Sequence, residues 1–286
     1  MRFAFIEAEK ARYSVRTLCR LLGVTRSGFY AWCKRDESPR AIANRRLGVE
    51  IRSAFEANRR AYGSPRIYHE LRAAGGSAGR HRIARLMRQH GLQARRKRRF
   101  IATTDSRHDR RVARNLVRRE FEVAQPNRVW AGDVTFIPTS DGWLYLAVLL
   151  DLCSRRVVGW AMSARNDESL VLDALRMALE QRCPAPGLVV HSDRGTTYAG
   201  GGYQAALSRA GARCSMSRRG NCWDNAVVES FFSSLKTETA IGQSFASRAL
   251  ARQLVFDYIE CFYNRTRRHS TLDYLSPESY EQSLIS

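Results

Sequence analysis

Residues 127–153 read NRVWAGDVTFIPTSDGWLYLAVLLDLC, and this stretch predicts two neighbouring strands joined by a hairpin. Side chains alternate in character over residues 129–137, which is the period of a half-buried strand. Residues 140–142, Ser-Asp-Gly, favour a tight turn, and the apolar run at 143–153 predicts a largely buried second strand. Asp133 lies in the middle of the first strand, where a carboxylate is costly unless it has a partner or a cation.

The stretches that follow continue the same sheet. They predict, in order, a strand (RRVVGWAMS, 155–163), a helix (167–182), a strand (GLVVHSD, 187–193), a helix (YQAALSRAG, 203–211) and a final strand (ARCSMS, 212–217). Another helical pattern comes after the last strand. This order predicts an α/β fold, a mixed five-stranded sheet with flanking helices. In such sheets functional residues often lie at strand ends.

The helical pattern after the last strand is GNCWDNAVVESFFSSLKTE, residues 220–238. Asp224 and Asn225 are suitable N-cap residues, because their side-chain oxygens can accept the N–H groups of a first turn. Apolar residues recur at helical spacing, and Glu229 and Lys236 lie two turns apart on an adjoining face. The plain alternative is a solvated carboxylate on an ordinary amphipathic helix.

Three carboxylates stand out against this background: Asp133 within the first strand, Asp193 at the end of the fourth, and Glu229 on the last helix. Converging carboxylates repel one another and raise each other's pKa unless a cation neutralises them. Mg²⁺ prefers such oxygen ligands, and two ions about 3.5–4 Å apart can stabilise an in-line phosphoryl displacement. The sequence has no Cys/His set with zinc spacing. We therefore expect these three side chains to lie within roughly 4–8 Å of one another, the span that two shared ions would bridge.

Two helix-turn-helix patterns precede the sheet. In residues 14–34 two short helices flank Gly23, and the second offers Arg26 and Tyr30 to a DNA groove or to phosphates. A charged linker is expected from Pro39. Residues 63–91 repeat the arrangement, with Arg82 and Arg85 on the second helix. A plain αα-hairpin that packs on its neighbour is the alternative for the first motif.

The charge points to a polyanionic partner. The formal net charge is +21, and residues 80–119 hold fifteen Lys or Arg against two Asp. Five consecutive cations, Arg95, Arg96, Lys97, Arg98 and Arg99, predict contact with DNA phosphates, although such a run often stays solvated. An anionic membrane surface is the other candidate partner. No apolar run is long enough to span a membrane and residues 1–10 lack a secretory signal, so a cytoplasmic protein is expected.

Composition and pattern divide the chain into three predicted domains: a helix-turn-helix segment at 1–60, a second helix-turn-helix with a basic linker at 61–122, and the sheet domain at 123–286. Four tryptophans, Trp130, Trp143, Trp160 and Trp223, are expected in the core, with base stacking as the alternative for Trp223. Asp151, at a strand end, is expected to be structural. His191 is interpreted as support for Asp193.

These motifs resemble the OrfB-type transposases of the insertion-sequence-three family, which share a retroviral-integrase-like core. The resemblance runs nearly end to end, and its most specific parts are the text around the three carboxylates: the Asp133 strand, HSDRGTTY and SMSRRGNCWDNAVVESFFSSLKTE. YSVRTLCRLLGVTRSGFYAW, YGSPRIYHELR, LLDLCSRRVVGW and FDYIECFYNRTRRHSTLDYLSPESY also match.

The resemblance implies an RNase H-like catalytic domain with an Asp-Asp-Glu active site and two Mg²⁺ or Mn²⁺ ions. It assigns the metal-ligand roles to Asp133, Asp193 and Glu229, and it matches Lys236 to a basic position that contacts DNA near the active site. The implied activity is cleavage and strand transfer of insertion-sequence ends in a bacterial cell, close to the nucleoid. The implied partners are double-stranded DNA, both element ends and target, and further copies of the chain on that DNA.

Two other functions stay open at this level. In such elements the active enzyme is typically a fusion with an upstream helix-turn-helix and leucine-zipper segment, and this chain starts at Met1 without a heptad zipper. It could therefore be a DNA-binding regulator of transposition that is active only in that fusion. The second alternative is an RNase H-like nuclease that cuts without strand transfer.

Overall fold

The computed structural model describes residues 1–95, 113–218, 222–239 and 245–285, and of residues 222 and 223 only the backbone. The chain forms two compact units, Met1–Ile51 and Arg52–Ser286. Within the described ranges no helix is long and apolar enough to cross a membrane. The predicted three-domain boundaries stay a prediction.

The first unit contains helices α1 (Arg2–Glu9), α2 (Val15–Leu21) and α3 (Arg26–Cys33). Helices α2 and α3 begin at capping hydroxyls, because Ser14 accepts the Thr17 N–H and Thr25 accepts the Gly28 N–H. Gly23, at φ +62°, makes the turn between them. The core of this unit contains the buried side chains of Ile6, Leu18, Cys19 and Phe29.

Helix α4 (Pro39–Ala57) replaces the charged linker expected after Pro39, so that prediction was wrong. The Ser38 hydroxyl accepts the Ala41 N–H, and proline is well tolerated in the first turn of a helix. Leu47, Ile51 and Phe55 form a buried stripe at four-residue spacing. Charged residues at the neighbouring positions hide this apolar period in the sequence.

Helices α5 (Ser64–Ala73) and α6 (Arg80–Gln89) form the second predicted helical pair. Gly75, at φ +86°, lies two residues after the end of the first of them. Ile67, Ile83 and Leu86 are buried, as their helical spacing predicts. The all-α region before the sheet is confirmed.

The sheet has five strands: β1 (Val129–Thr139), β2 (Gly142–Asp151), β3 (Val157–Ser163), β4 (Val189–Ser192) and β5 (Arg213–Met216). Their order is β3-β2-β1-β4-β5. Strands β1, β2 and β3 pair antiparallel, whereas β4 runs parallel to both β1 and β5. The predicted mixed five-stranded sheet is confirmed, and β1 lies at its centre.

Helices α7 (Glu168–Arg182) and α8 (Gly201–Arg209) contribute to one hydrophobic core with the sheet, around Trp130. Gly159 on β3 permits the close approach of α7, since a Cβ there would lie 2.3 Å from the Ala174 carbonyl oxygen. Helices α9 (Ala226–Glu238) and α10 (Arg248–Phe256) contact β1 and neighbouring sheet residues. A π-helical segment (Asp257–Tyr263), a short 3₁₀ helix (Ser270–Leu272) and α11 (Pro277–Ser283) complete the unit.

Asp151 is structural, as expected. Its buried carboxylate accepts hydrogen bonds from the N–H groups of Asn127 and Cys153 and from the Trp130 indole. Trp130 is fully buried, as predicted for a core residue. Trp143 was also predicted in the core, but 49 % of it is exposed. Trp143 lies just after the hairpin turn, where sheet packing ends. The interpretation of the Trp223 side chain lies outside the described residues.

Candidate active site

Asp133 and Asp193 are brought to neighbouring positions by the register of β1 and β4. The parallel pairing runs from Val129 opposite Val189 to Ala131 opposite His191. Two residues further along each chain stand Asp133 and Asp193. Because paired strands lie about 4.8 Å apart, continuation of this register sets the two aspartates side by side where β4 ends.

The electrostatics of Asp133 reflect this neighbourhood. Burial raises its pKa well above the ordinary value, and the charges of Asp193 and Glu229 raise it further. A hydrogen bond of 2.8 Å from the Val134 N–H and the charge of Lys236 act in the opposite direction. Asp133 is therefore surrounded by like charge that its own hydrogen bonds do not offset.

Glu229 lies in the first turn of α9. A hydrogen bond of 3.1 Å from the Asn225 side chain to the Gly132 carbonyl ties the start of this helix to β1, beside Asp133. Burial raises the pKa of Glu229. The apolar face predicted for the helix is confirmed, since Val228, Phe231, Phe232 and Leu235 are all buried.

The predicted N-capping by side chains was wrong. Asn225 occupies the N-cap position without a side-chain cap: its amide nitrogen donates to the Gly132 carbonyl, and its Oδ1 is buried without a hydrogen-bond partner in the structure. Asp224 is buried and binds Arg218 through both carboxylate oxygens, at 2.9 and 3.0 Å, and also Arg119 and Asn115. The Arg218 guanidinium and these further donors hold the pKa of Asp224 far below its usual range.

In the part of the chain that the structure describes, no group of three or more His, Cys, Asp or Glu side chains is assembled as a metal site. The three carboxylates interact electrostatically across β1, β4 and α9, as the pKa of Asp133 shows. Their predicted approach to roughly 4–8 Å, the span of two shared ions, stays a prediction.

His191, two residues before Asp193, supports the end of β4. Its buried ring contacts the hydroxyls of Ser215 at 2.8 Å and Ser217 at 3.2 Å. Burial lowers its pKa, so the ring is neutral near pH 7. Both ring nitrogens have partners, which fits the predicted supporting role.

Lys236 also lies beside β1. Its ammonium group is 5.1 Å from the ring centroid of Phe136, which makes an edge-to-face pair with Trp143. Burial lowers the pKa of Lys236 and the charge of Asp133 raises it. The exposed aromatic pair, with 36 % of Phe136 and 49 % of Trp143 accessible, was missed, because strand alternation does not distinguish a covered face from a rim.

The predicted DNA-contact residues of the helical region differ in exposure. Arg26 and Tyr30 are both exposed, one turn apart on α3. Arg82 and Arg85 are half-buried on α6, and one terminal nitrogen of Arg85 is buried without a hydrogen-bond partner in the structure. Which of these side chains contact DNA stays a prediction.

The basic run is described only at its first residue. Arg95 is exposed, and its guanidinium lies 3.5 Å from the Glu238 carbonyl oxygen. Arg96, Lys97, Arg98 and Arg99 lie outside the described residues.

Family models match three parts of the chain. An integrase core domain matches residues 123–222, a second integrase core domain model matches residues 229–284, and an HTH-like domain matches residues 42–100. The two integrase matches contain all three carboxylates, and together with the observed sheet they confirm the predicted RNase H-like fold class.

Curated relatives match nearly end to end. The transposase InsF for insertion sequence IS3A of Escherichia coli K12 is 45 % identical over 98 % of each chain. A 31 kDa protein of insertion element IS600 from Shigella sonnei is 42 % identical over 93 % of this chain and 97 % of the relative.

Among solved structures, a simian T-cell lymphotropic virus intasome bound to a PP2A regulatory subunit has a TM-score of 0.47 at 16 % identity, over 77 % of this chain and 70 % of that one. The HTLV-2 integrase catalytic core in complex with magnesium has a TM-score of 0.43 at 15 % identity, over 55 % and 97 %. These two similarities are too weak to support an argument by themselves.

Proposed function

The chain belongs to the IS3 family of transposases, and from this membership we propose that it catalyses metal-dependent cleavage and strand transfer at the ends of an insertion sequence. The reaction would hydrolyse a phosphodiester to free a 3′-OH at the element end. That 3′-OH would then attack a phosphodiester of the target DNA. The proposed location is the bacterial cytoplasm, at the nucleoid.

One observation carries the proposal: the parallel register of β1 and β4, whose continuation would set Asp133 beside Asp193, next to the helix that carries Glu229. Burial raises the pKa of Asp133 and the charges of Asp193 and Glu229 raise it further, which is unfavourable for a purely structural cluster. The hydrogen bond between Asn225 and Gly132 supports Glu229 as the third member, because it anchors the first turn of α9 to β1.

The donor set fits Mg²⁺ or Mn²⁺, because it consists of carboxylate oxygens with surplus negative charge. Asp133 and Asp193 would hold the ions, and Glu229 would complete the site. When bound, two such ions stabilise the attacking and the leaving oxygen of an in-line displacement.

The chain's own residues contribute position and charge. Lys236, which interacts electrostatically with Asp133, would meet a DNA phosphate beside the carboxylates. The neutral His191 fixes the end of β4, and hence Asp193, through its two serine contacts. No covalent protein–DNA intermediate is required.

The proposed partner is double-stranded DNA, both the element ends and the target. Two ends must be joined in one complex, so the active form would be a homo-multimer on DNA. An upstream-frame segment, as partner or fusion, stays a further proposed requirement.

The decisive experiment is an assay of the purified chain on a pre-cut element end with Mg²⁺, with the variants Asp133→Asn, Asp193→Asn and Glu229→Gln beside the wild type. Each change removes a ligand charge and nearly preserves shape, so joining should be abolished while DNA binding persists. If one variant kept near-normal joining, its residue would not be a metal ligand. Asp173→Asn, an exposed aspartate on α7, is the matched control and should join normally.

The same assay separates the alternatives. Cleavage without joining by the wild type would favour a nuclease. Binding without either reaction, restored when the upstream segment is fused to the chain, would favour a regulator that is active only in the fusion.

A further inference from the structure

A cavity of about 370 Å³ lies against the side of α9 that is turned away from Glu229 and Lys236. We call it the arginine pocket, because its lining includes Arg66, Arg95, Arg155 and Arg267 together with His269. Ser230, Ser234 and Thr237 of α9 also line it, whereas Glu229 and Lys236 do not. All of its described lining belongs to the second unit.

The arginine pocket carries more positive than negative charge. Glu238 is the only acid among the described residues that line it. Arg267 donates two hydrogen bonds of 2.7 Å to the Glu238 carboxylate, and a terminal nitrogen of Arg66 lies 3.8 Å from one of its oxygens. One carboxylate therefore faces several guanidinium groups, and unpaired buried charge is unfavourable without a counter-ion.

Arg155 is an arginine of the pocket that forms no ion pair with Glu238. One terminal nitrogen donates to the Phe121 carbonyl oxygen at 3.0 Å, while the other is buried without a hydrogen-bond partner in the structure. The residue also has φ +60°, a left-handed conformation that is unfavourable for an arginine. The backbone does not distinguish Arg155, since Arg118 has a similar φ of +50°, but a buried donor without a partner on a side chain that lines a cavity is typical of a ligand-binding position.

His269 lines the same pocket as these arginines. Burial lowers its pKa to about 3, and the charges of Arg267, Arg155 and Arg66 contribute. The ring is therefore neutral near pH 7, with its Nδ1 2.8 Å from the Thr271 hydroxyl. The pocket thus combines guanidinium forks with neutral hydroxyl and imidazole groups.

Guanidinium and hydroxyl groups together suit an anion that has several oxygens, and phosphate is such an anion. We propose that the arginine pocket binds a backbone phosphate of DNA, on the side of the catalytic helix opposite the carboxylates. This inference rests on the proposed function, which supplies DNA as the substrate. It adds a second anchoring point for the strand, apart from the reacting phosphodiester.

The test compares Arg155→Asn with Arg118→Asn in the full chain. Arg118 is exposed, lies outside the pocket and has φ +50°, so the two changes match in charge and in backbone conformation, which asparagine tolerates. The probe is a fluorescein-labelled duplex of random sequence, titrated at several salt concentrations in EDTA. Arg155→Asn should make the slope of log affinity against log salt shallower by about 0.9, and Arg118→Asn should leave it unchanged.

Several results would overturn the inference. The slope could stay unchanged in Arg155→Asn, or both variants could lose affinity equally, which would indicate a general charge effect. Inorganic phosphate could raise the Tm of the wild type but not of Arg155→Asn while the DNA slope stayed the same. The pocket would then take a small anion and not DNA.

The assay also separates this inference from the proposed function, because binding in EDTA requires no cleavage. A wild-type chain that failed to bind the duplex would contradict the proposed function and with it the DNA assignment. If the wild-type chain bound the duplex normally and Arg155→Asn had the same salt slope, the result would contradict only the proposed phosphate binding in the arginine pocket. A third variant, Arg155→Lys, keeps the charge and should retain most of the slope.

Discussion

The two sides of helix α9 carry opposite surpluses of charge. On one side Glu229 adds to the carboxylates of Asp133 and Asp193, and the pKa of Asp133 is raised by burial and by both neighbours. On the other side burial, together with the charges of Arg267, Arg155 and Arg66, lowers the pKa of His269 to about 3. One helix thus separates a site that favours cations from a site that favours an anion.

Balanced clusters elsewhere in the same unit show what this difference means. Arg182 donates to both carboxylate oxygens of Glu281, at 2.7 and 2.8 Å, and Arg156 adds a bond of 2.9 Å and also pairs with Glu278 at 3.7 Å, so two arginines face two glutamates. Although burial alone would raise the pKa of Glu281, the bonds from Arg182 and Ser154 lower it. A buried cluster that balances its own charge stabilises the fold, and one that does not is a candidate for ligand binding.

The largest effect is expected from Glu238→Gln, which removes the single described acid of the arginine pocket. Arg267 and Glu238 expose only 3 % and 6 % of their side chains, so the change would leave a buried guanidinium unpaired. Breaking such a pair typically costs about 3–5 kcal/mol. Urea unfolding of the variant and the wild type measures the difference in free energy.

Glu56→Gln is the control for that experiment. Glu56 pairs with Arg60 one helical turn away, and both side chains are well exposed, at 45 % and 61 %. The expected cost is at most about 1 kcal/mol. Equal effects of the two changes would mean that the pocket carries no special charge surplus.

The next effect concerns pH. His269 has a folded pKa of about 3 against an unfolded value of 6.5, so the unfolded chain binds the proton more readily. This contribution to stability is complete above pH 6.5 and falls as the pH decreases below it, by up to about 1.4 kcal/mol per pH unit. Unfolding titrations from pH 7 down to pH 5, which is about 1.5 units below 6.5, should show the decline in the free energy of unfolding.

His269→Asn tests the origin of this pH dependence, because its amide can keep the bond to Thr271 without titrating. The variant should lose less stability on acidification than the wild type. Parallel pH curves for the two proteins would assign the decline to other groups and would weaken the description of the pocket as strongly cationic.

Much of this arrangement could be predicted from the sequence. Strand alternation located Asp133. A short apolar run that ends at Asp193 located this residue at a strand end, and helical periodicity placed Glu229 and Lys236 on one face of α9. These signals are local, since each depends on a few neighbouring residues. The mixed five-stranded sheet with flanking helices followed from the alternation of strands and helices, whereas the order of the strands within the sheet was not predicted.

The other side of α9 could not be predicted in this way. Arg155 reaches the arginine pocket from the turn between β2 and β3, Arg66 from α5, and Arg267 from the C-terminal region. No spacing rule connects positions so far apart in sequence. Asp224 was misinterpreted because its carboxylate binds Arg218, six residues before it, and also the distant Arg119 and Asn115, instead of the helix N-terminus.

A smaller effect is expected from Asp133→Asn, which removes one of the repelling carboxylates. The variant should be more stable than the wild type, with a Tm higher by roughly 2–4 °C, the shift that 1 kcal/mol produces in a chain of this size. Thermal unfolding in EDTA measures it. Asp173→Asn, whose exposed carboxylate pairs with Arg176, should leave the Tm unchanged. A lower Tm for Asp133→Asn would mean that its bond to Val134 outweighs the repulsion.

The smallest effect tests Lys236, the cation on the acidic side of α9. Two roles are open to it: contact with a DNA phosphate, and compensation of Asp133, whose pKa it lowers. A phosphate contact contributes about 0.9 to the salt slope, which is roughly a three-fold change in affinity between 50 and 200 mM salt. Lys236→Gln should therefore bind a duplex with a slope shallower by that amount, and Lys236→Arg should keep the slope.

Lys10→Gln is the control for Lys236, since it is the same substitution at an exposed lysine that pairs with Glu7. It should leave the slope unchanged. If Lys236→Gln also left the slope unchanged but lowered the Tm in EDTA, the lysine would only compensate Asp133, and the acidic side of α9 would hold no DNA contact at this position. If the slope fell as expected, both sides of the helix would meet DNA phosphates, Lys236 beside the reacting group and Arg155 behind it.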